Sequence, residues 1–185
     1  MSKTVCFTGR RPKYLCGYNG SSYIMFQKYL TSYLEEMYLV SDVKTFISGG
    51  AQGFDQIAFW AVDSLKERYP DIKNIVYVPF RTQSSAWKDY GLFSKSEYNK
   101  MLDRADDVIN VSGVISPSDY RQAAKLLMKR NDAMIDNSDI VIALYADDDW
   151  QTASGGTAEA MRYAIKNSKE MIQLKYRIEN GNLVV

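Results

Sequence analysis

The sequence predicts an α/β fold in which a mainly parallel sheet is covered by helices on both faces. Apolar runs typical of strands alternate with segments of helical periodicity along the chain. Such alternation requires crossover connections, which build parallel sheets. The most apolar run, Ile140 to Leu144, has the composition of a strand buried on both faces.

The first half of the chain is expected to supply two strands and two helices. Residues 3–8 form the predicted first strand, and residues 21–38 place apolar side chains on one face of a helix. Residues 45–47 form the second strand and lead into a glycine cluster. The next helix is predicted from residue 53 to about residue 69, because Pro70 cannot continue it.

The middle of the chain continues the alternation. Residues 75–78 are the third strand, residues 84–105 should hold one or two helices, and residues 108–111 are the fourth strand. A helix should then begin at Ser116-Pro117-Ser118-Asp119, which offers a cap, a proline and an early acid. Its inner face is predicted to hold Tyr120, Ala124, Leu127, Met134 and Ile135.

The last part should complete the sheet. A helix is predicted over residues 156–166 and a strand over residues 171–175, and Glu179-Asn180-Gly181-Asn182 is a turn that could return the chain as a hairpin. The expected architecture is a Rossmann-like three-layer sandwich with a C-terminal β-hairpin, formed as a single domain over residues 1–185.

Composition limits the classes of function. The net charge of +1 gives no sign of a nucleic-acid groove, so nucleic acid is not an expected partner. No apolar stretch is long enough to cross a membrane, and two cysteines without a disulfide pattern favour a cytoplasmic protein. The chain contains no histidine, which excludes a Ser-His-Asp triad and histidine-ligated metals.

Two glycine-rich turns suggest a phosphate-bearing ligand. Residues 48–55 and 154–159 each follow a strand and open a helix, where backbone N–H groups and the helix dipole attract anions. In a parallel sheet these turns fall at the carboxyl edge, where ligands bind. The alternative is that both are tight packing turns. Neither turn matches the dinucleotide fingerprint or the Walker A sequence.

These residues resemble the SLOG superfamily, the Rossmann-like group that includes DprA and the LOG nucleotide hydrolases. The resemblance rests on Ser48-Gly49-Gly50-Ala51 with Gly53 and Asp55, on Thr8-Gly9-Arg10-Arg11-Pro12 and on the turn Gly155-Gly156-Thr157. Its most specific piece is Met128-Lys129-Arg130-Asn131 followed by Ile142-Ala143-Leu144 and that turn. The opening motif and the length are most similar to the YpsA-like branch. The resemblance implies a nucleotide-derived ligand such as ADP-ribose or an NAD-related molecule, and a homo-oligomer.

The sequence also departs from the LOG pattern. Arg130 matches the LOG arginine, but Asn131 stands where those enzymes carry lysine, and Tyr145 replaces a proline. Residues 146–154 are extra and could form a mobile cover. Glu159 comes one residue early, so Ala160 occupies the position of the LOG glutamate, and the direction of the Glu159 side chain is left open.

Three ligand-directed functions therefore stay open, beside a purely structural or interaction role that would leave the polar loops at the carboxyl edge unexplained. The first is binding of a nucleotide-like small molecule by a sensor or sequestering protein without turnover. The second is LOG-like hydrolysis of a nucleoside monophosphate, in which the resemblance implies catalytic roles for Arg130 and Glu159. The third is DprA-like binding of single-stranded DNA, which the neutral charge balance disfavours.

The candidate ligand-binding residues are hydroxyls, glycines, charged groups and aromatics of the turns at the expected carboxyl edge. Helix capping, surface ion pairs or core packing is the alternative role for each. No resident metal is predicted, although a divalent cation could bind Asp147, Asp148 and Asp149. The candidates are Thr8, Gly9, Arg10, Arg11, Ser48, Gly49, Gly50, Gly53, Asp55, Phe80, Arg81, Arg130, Tyr145, Trp150, Gly155, Gly156, Thr157 and Glu159.

Overall fold

The predicted α/β architecture is confirmed. The computed structural model describes residues 2–89, 91–113 and 116–185, and its centre is a parallel sheet with the strand order β4-β3-β2-β1-β5-β6. An antiparallel hairpin of β7 and β8 follows. The strands are β1 Lys3–Gly9, β2 Val43–Ser48, β3 Lys73–Val78, β4 Asp107–Asn110, β5 Ile140–Leu144, β6 Glu170–Leu174, β7 Arg177–Glu179 and β8 Asn182–Val184.

Helices cover both faces of the sheet, as the sequence predicts. Along β1, Val5 and Phe7 pack against α1 and α2, whereas Cys6 faces α4 and α5. The alternation follows from the two-residue period of a strand. Burial raises the pKa of the Cys6 thiol to about 12. The helices are α1 Ile24–Ser41, α2 Phe54–Leu65, α3 Lys95–Arg104, α4 Tyr120–Asp136 and α5 Gly156–Lys166.

The order of the strands fixes where the sheet opens. From β1 the chain adds β2, β3 and β4 on one side, and it then returns to place β5 and β6 on the other side. Both β1–β2 and β1–β5 are parallel pairs. The loops that leave β1 and β5 therefore diverge at the carboxyl edge, which is the arrangement that creates a crevice in open α/β sheets.

Several predicted helix boundaries were wrong. α2 ends at Leu65, ahead of Pro70, and the chain leaves it through turns. The range 84–105 contains one helix, α3, whose N-cap Ser94 accepts a hydrogen bond from the Glu97 N–H at 3.1 Å. Within this range Tyr90 lies outside the described residues. The described residues between Ser84 and Ser94 form turns, bends and irregular loop instead of the predicted helix.

The start and the inner face of α4 also differ from the prediction. Asp119, rather than Ser116, is the N-cap, and its Oδ1 accepts a hydrogen bond from the Gln122 N–H at 2.8 Å. Met134 and Ile135 are buried as predicted, but Tyr120 is 86% exposed. The first half of α4 therefore does not pack into the core.

The C-terminal hairpin is attached to the first helix layer. Its turn has positive φ at Asn180 and Gly181, which matches the two-residue turns that suit the twist of a hairpin. Leu183 on β8 is fully buried in the core beside α1, whereas Ile178, its partner on β7, is 50% exposed. None of the helices in the described part of the chain is long and apolar enough to cross a membrane.

We expect Leu183→Ala to lower the free energy of unfolding by about 2–5 kcal/mol, because it empties a fully buried leucine site. Ile178→Ala removes a half-exposed side chain from the facing position and should change stability by only about 0.5 kcal/mol. Urea unfolding of both variants measures the difference. Equal losses would mean that the hairpin is not anchored through Leu183.

Candidate functional site

A cleft of about 520 Å³ opens at the carboxyl edge, where the loops after β1 and β5 diverge. Its walls are the loop after β1, the cleft-facing side of α4 and the N-terminus of α5, with Asp55 of α2 at the base. The sequence-predicted residues that line it are Thr8, Gly9, Arg10, Arg11, Asp55, Arg130, Gly155, Gly156, Thr157 and Glu159.

The other predicted residues lie away from the cleft lining. Phe80 is buried after β3, and Arg81 beside it is exposed to solvent. Tyr145 is fully buried beneath Arg10, and Trp150 belongs to a short 3-10 turn packed near α5. The remaining four do not line the cleft either; they are Ser48, Gly49, Gly50 and Gly53.

A buried ion pair joins the first glycine cluster to α4. The Arg130 guanidinium is almost completely buried, its Nη1 lies 3.5 Å from Asp55 Oδ2, and it also donates to the Gly49 carbonyl. Asp55 Oδ2 accepts a hydrogen bond from the Ala51 N–H at 3.3 Å. Burial raises the pKa of Asp55, and the positive charge of Arg130 opposes that rise.

The glycines of the first cluster are required by packing. A Cβ on Gly49 would overlap the Arg130 guanidinium, and one on Gly50 would lie 2.8 Å from Met101 Cε. Gly50 and Gly53 also have positive φ. The first N–H of α2, on Phe54, donates to the Arg10 carbonyl at 3.3 Å. The N-terminus of α2 is thus closed by the protein's own chain.

The second glycine cluster has the opposite environment. Among the described residues, nothing lies within 4 Å of a Cβ built on Gly155, and the nearest atom to one built on Gly156 is Asn131 Nδ2 at 3.9 Å. Both glycines are exposed, and no side chain caps α5. The N-terminus of this helix therefore faces the cleft with its N–H groups available, which is a favourable position for an anion.

Three cations converge on the cleft from the loop after β1. The Arg10 guanidinium stacks 4.1 Å above the Tyr145 ring, and Lys13 Nζ lies 4.6 Å above the Tyr14 ring. Arg11 is half-buried in the cleft wall. Among the described residues, none of the three cations forms an ion pair with a carboxylate. The cleft is locally basic although the whole chain is nearly neutral.

Hydrogen bonds from two tyrosines hold this loop. The Tyr23 hydroxyl donates to the Gly17 carbonyl at 2.6 Å and accepts from the Cys16 N–H at 3.0 Å. Tyr176, next to the C-terminal hairpin, donates to the Tyr14 carbonyl at 2.8 Å. The cationic loop is therefore positioned from both ends of the chain.

The structure decides the direction of Glu159. Its side chain lines the cleft, whereas Ala160 is buried against the sheet. Glu159 and Ala160 are consecutive residues near the start of α5, and the first faces the cleft while the second faces the core. The carboxylate thus faces the same space as the cationic loop.

The extra segment 146–154 is tied to its surroundings. Arg162 of α5 donates to the Ala153 carbonyl at 2.8 Å, and Gln173 of β6 donates to the Asp147 carbonyl at 2.7 Å. Asp148 pairs with Lys175. Within the described ranges no group of three or more cysteine, aspartate and glutamate side chains is arranged to hold a metal ion.

Sequence reasoning missed one whole wall of the cleft. Lys13 and Tyr14 of the loop line it, as do Ala51, Ser154 and the side of α4 that carries Tyr120, Ala124, Leu127, Met128 and Asn131. The helical spacing of Tyr120, Ala124 and Leu127 predicts a core face, and Met128 and Asn131 do not belong to that predicted face. The sequence signal that could have found this wall is length, because no predicted strand is long enough to cover the whole apolar side of this helix.

Comparison with known proteins identifies the family of this chain. The model of the YspA SLOG family matches residues 5–178. The chain belongs to this family. It is 35% identical over 144 residues to the uncharacterized SPbeta prophage-derived protein YoqJ of Bacillus subtilis, an alignment that covers 74% of this chain and 78% of that protein. The resemblance drawn from the motifs is confirmed.

A second relative is more distant. The chain is 29% identical over 133 residues to the UPF0398 protein BH1768 of Halalkalibacterium halodurans. The match covers 71% of this chain and 64% of that longer relative.

We expect the two glycine clusters to respond differently to a single added methyl group. Gly49→Ala should lower the free energy of unfolding by about 1–3 kcal/mol, because the new Cβ displaces the Arg130 guanidinium. Gly156→Ala adds its Cβ in open space and should change stability by no more than about 0.5 kcal/mol. Urea unfolding compares the two variants, and similar losses in both would contradict the assigned packing.

Proposed function

We propose that this protein binds a nucleotide-derived, phosphate-containing small molecule in the cleft between the β1 and β5 loops. The observation that carries the proposal is the uncapped N-terminus of α5, with open space at Gly155 and Gly156, facing the cationic loop. Helix N-termini and arginine forks are the two common protein partners of phosphate oxygens. Here they line one cleft.

The charge distribution supports a ligand with at least two negative charges. Arg10, Arg11 and Lys13 bring to the cleft three cations that have no ion-pair partner within the described ranges, and Glu159 supplies one negative charge in return. The buried pair of Arg130 and Asp55 is neutral as a unit. A phosphate monoester dianion, or a diphosphate diester with one negative charge on each phosphate, would balance the remaining two positive charges.

The state of Arg130 supports binding without turnover, as in a sensor or a sequestering protein. The resemblance to LOG enzymes gives this arginine a role in cleavage, but here its guanidinium is held by Asp55, the Gly49 carbonyl and Asn131. The guanidinium would have to break these contacts to reach a substrate.

Homo-oligomerisation, a single domain and a cytoplasmic location stay predictions.

Hydrolysis of an N-glycosidic bond is the second candidate, and the position of Glu159 favours it. Cleavage of this bond builds positive charge on the ribose, which a nearby carboxylate stabilises while it orients water. The Glu159 side chain lines the cleft beside the proposed phosphate site. Among the acidic residues of the cleft, Asp55 is already paired with Arg130.

We expect AMP, ADP and ADP-ribose to bind in isothermal titrations at low salt, whereas adenosine, which lacks the phosphate, should bind much more weakly. Arg11→Gln should weaken phosphate-ligand binding about tenfold, since a charge-assisted contact is lost. Lys166→Gln removes an exposed cation from the far end of α5 and is the matched control, with no expected change.

Chromatography of the same mixtures distinguishes the two candidates. Recovery of intact ligand supports a binding protein, whereas release of free base that disappears in Glu159→Gln identifies a hydrolase. Adenosine binding as tightly as AMP, or equal losses in Arg11→Gln and Lys166→Gln, would refute the phosphate site.

A further inference from the structure

An apolar stripe of α4 faces the cleft instead of the core. Tyr120, Ala124, Leu127 and Met128 are spaced by four, three and one residues, which places them on one side of a helix, and all four line the cleft. Tyr120 is 86% exposed and Met128 is 43% exposed. Such a stripe on a helix normally marks the side that packs against a sheet.

The length of α4 explains why the stripe is uncovered. The helix has 17 residues and spans roughly 25 Å at 1.5 Å per residue, whereas the five residues of β5 span roughly 17 Å. Met134 and Ile135, near the C-terminal end of α4, lie over the sheet. The N-terminal half therefore extends past the carboxyl edge, beside the cleft.

The cleft thus has two chemically different regions. One is cationic, with Arg10, Arg11 and the open N-terminus of α5. The other is the apolar stripe of α4. Asn131 lies next to Gly156 and so belongs to the cationic region. A ligand that contacts both regions needs an anionic group at one end and a flat apolar group at the other.

We propose that the stripe is the base-binding surface of the cleft, with the Tyr120 ring stacking on the aromatic base of a nucleoside 5′-phosphate. This proposal rests on the proposed function, because it takes the phosphate site as given. Apart from the Tyr120 hydroxyl, the stripe offers no polar side-chain atom that could form a hydrogen bond with a base edge. Stacking depends on the face of a base rather than its edge, so purine and pyrimidine nucleotides should both bind.

This proposal gives the aromatic contact to Tyr120 instead of Phe80 and Trp150, which are aromatic candidates from the sequence. Phe80 is buried and Trp150 packs near α5, and neither lines the cleft. Tyr120, which the sequence assigned to the core, has its ring available beside the cationic region.

The test compares ligands with and without a base. Isothermal titration at low salt uses AMP, UMP and ribose 5-phosphate. Ribose 5-phosphate keeps the sugar and the phosphate but has no aromatic base to stack. In the wild-type protein, AMP should bind about tenfold more tightly than ribose 5-phosphate, and UMP should lie between them, because one stacked base contributes this order of affinity.

Tyr120→Ala should remove the preference for AMP over ribose 5-phosphate and leave the affinity for ribose 5-phosphate unchanged. Tyr120→Phe should keep the preference for AMP. Tyr29→Ala removes an exposed tyrosine of α1 outside the cleft and is the matched control, with the preference intact. Sedimentation velocity of the same proteins, without ligand, shows whether a second copy covers the stripe.

The outcomes separate the two proposals. If the wild-type protein binds neither AMP nor ribose 5-phosphate, the proposed function fails and this inference fails with it. If both bind equally, or Tyr120→Ala keeps the preference for AMP, the phosphate site stands and the stacking surface is refuted. A dimer that Tyr120→Ala dissociates, with the preference for AMP unchanged, would assign the stripe to a subunit interface.

Discussion

The buried ion pair of Arg130 and Asp55 connects the elements that shape the cleft. The two residues come from α4 and α2, and the Arg130 guanidinium also holds the carbonyl of Gly49 at the end of β2. A buried charge without its partner carries a large desolvation penalty, so the three segments are strongly constrained to stay together. Together with the packing of Met134 and Ile135 on the sheet, the contacts of Arg130 hold α4 in its place beside the cleft.

The same ion pair explains why two similar glycine clusters have different roles. The guanidinium occupies the space in front of Gly49, and the Arg10 carbonyl accepts the first N–H of α2. The first cluster is therefore filled by the protein's own groups. At Gly155 and Gly156 no side chain of the part of the chain that the structure describes fills the space, which leaves the end of α5 open. Identical residue types are used once for close packing and once for access.

The topology of the sheet explains why the charges collect where they do. After β4 the chain crosses to the other side of β1 to form β5, so the loop with Arg10, Arg11 and Lys13 lies across from the start of α5. Tyr145 and Tyr14 place their rings against Arg10 and Lys13, and these cation–π contacts favour the observed positions of the two cations. A nearly neutral chain thus acquires a basic cleft through the placement of a few residues rather than through its overall charge.

The sequence by itself determined the parallel sheet, its helical layers, the C-terminal hairpin and the family, because strand and helix periodicities and turn residues act locally. It also selected the loops after β1 and β5, since parallel strands bring their carboxyl ends to one edge. Only the tertiary structure decided that Gly49 is a packing position and Gly156 an open one. The space around each glycine depends on a residue far from it in the chain, Arg130 for Gly49 and Asn131 for Gly156. It likewise decided that the Tyr120 face of α4 lines the cleft, since periodicity shows which side of a helix is apolar but not what that side faces.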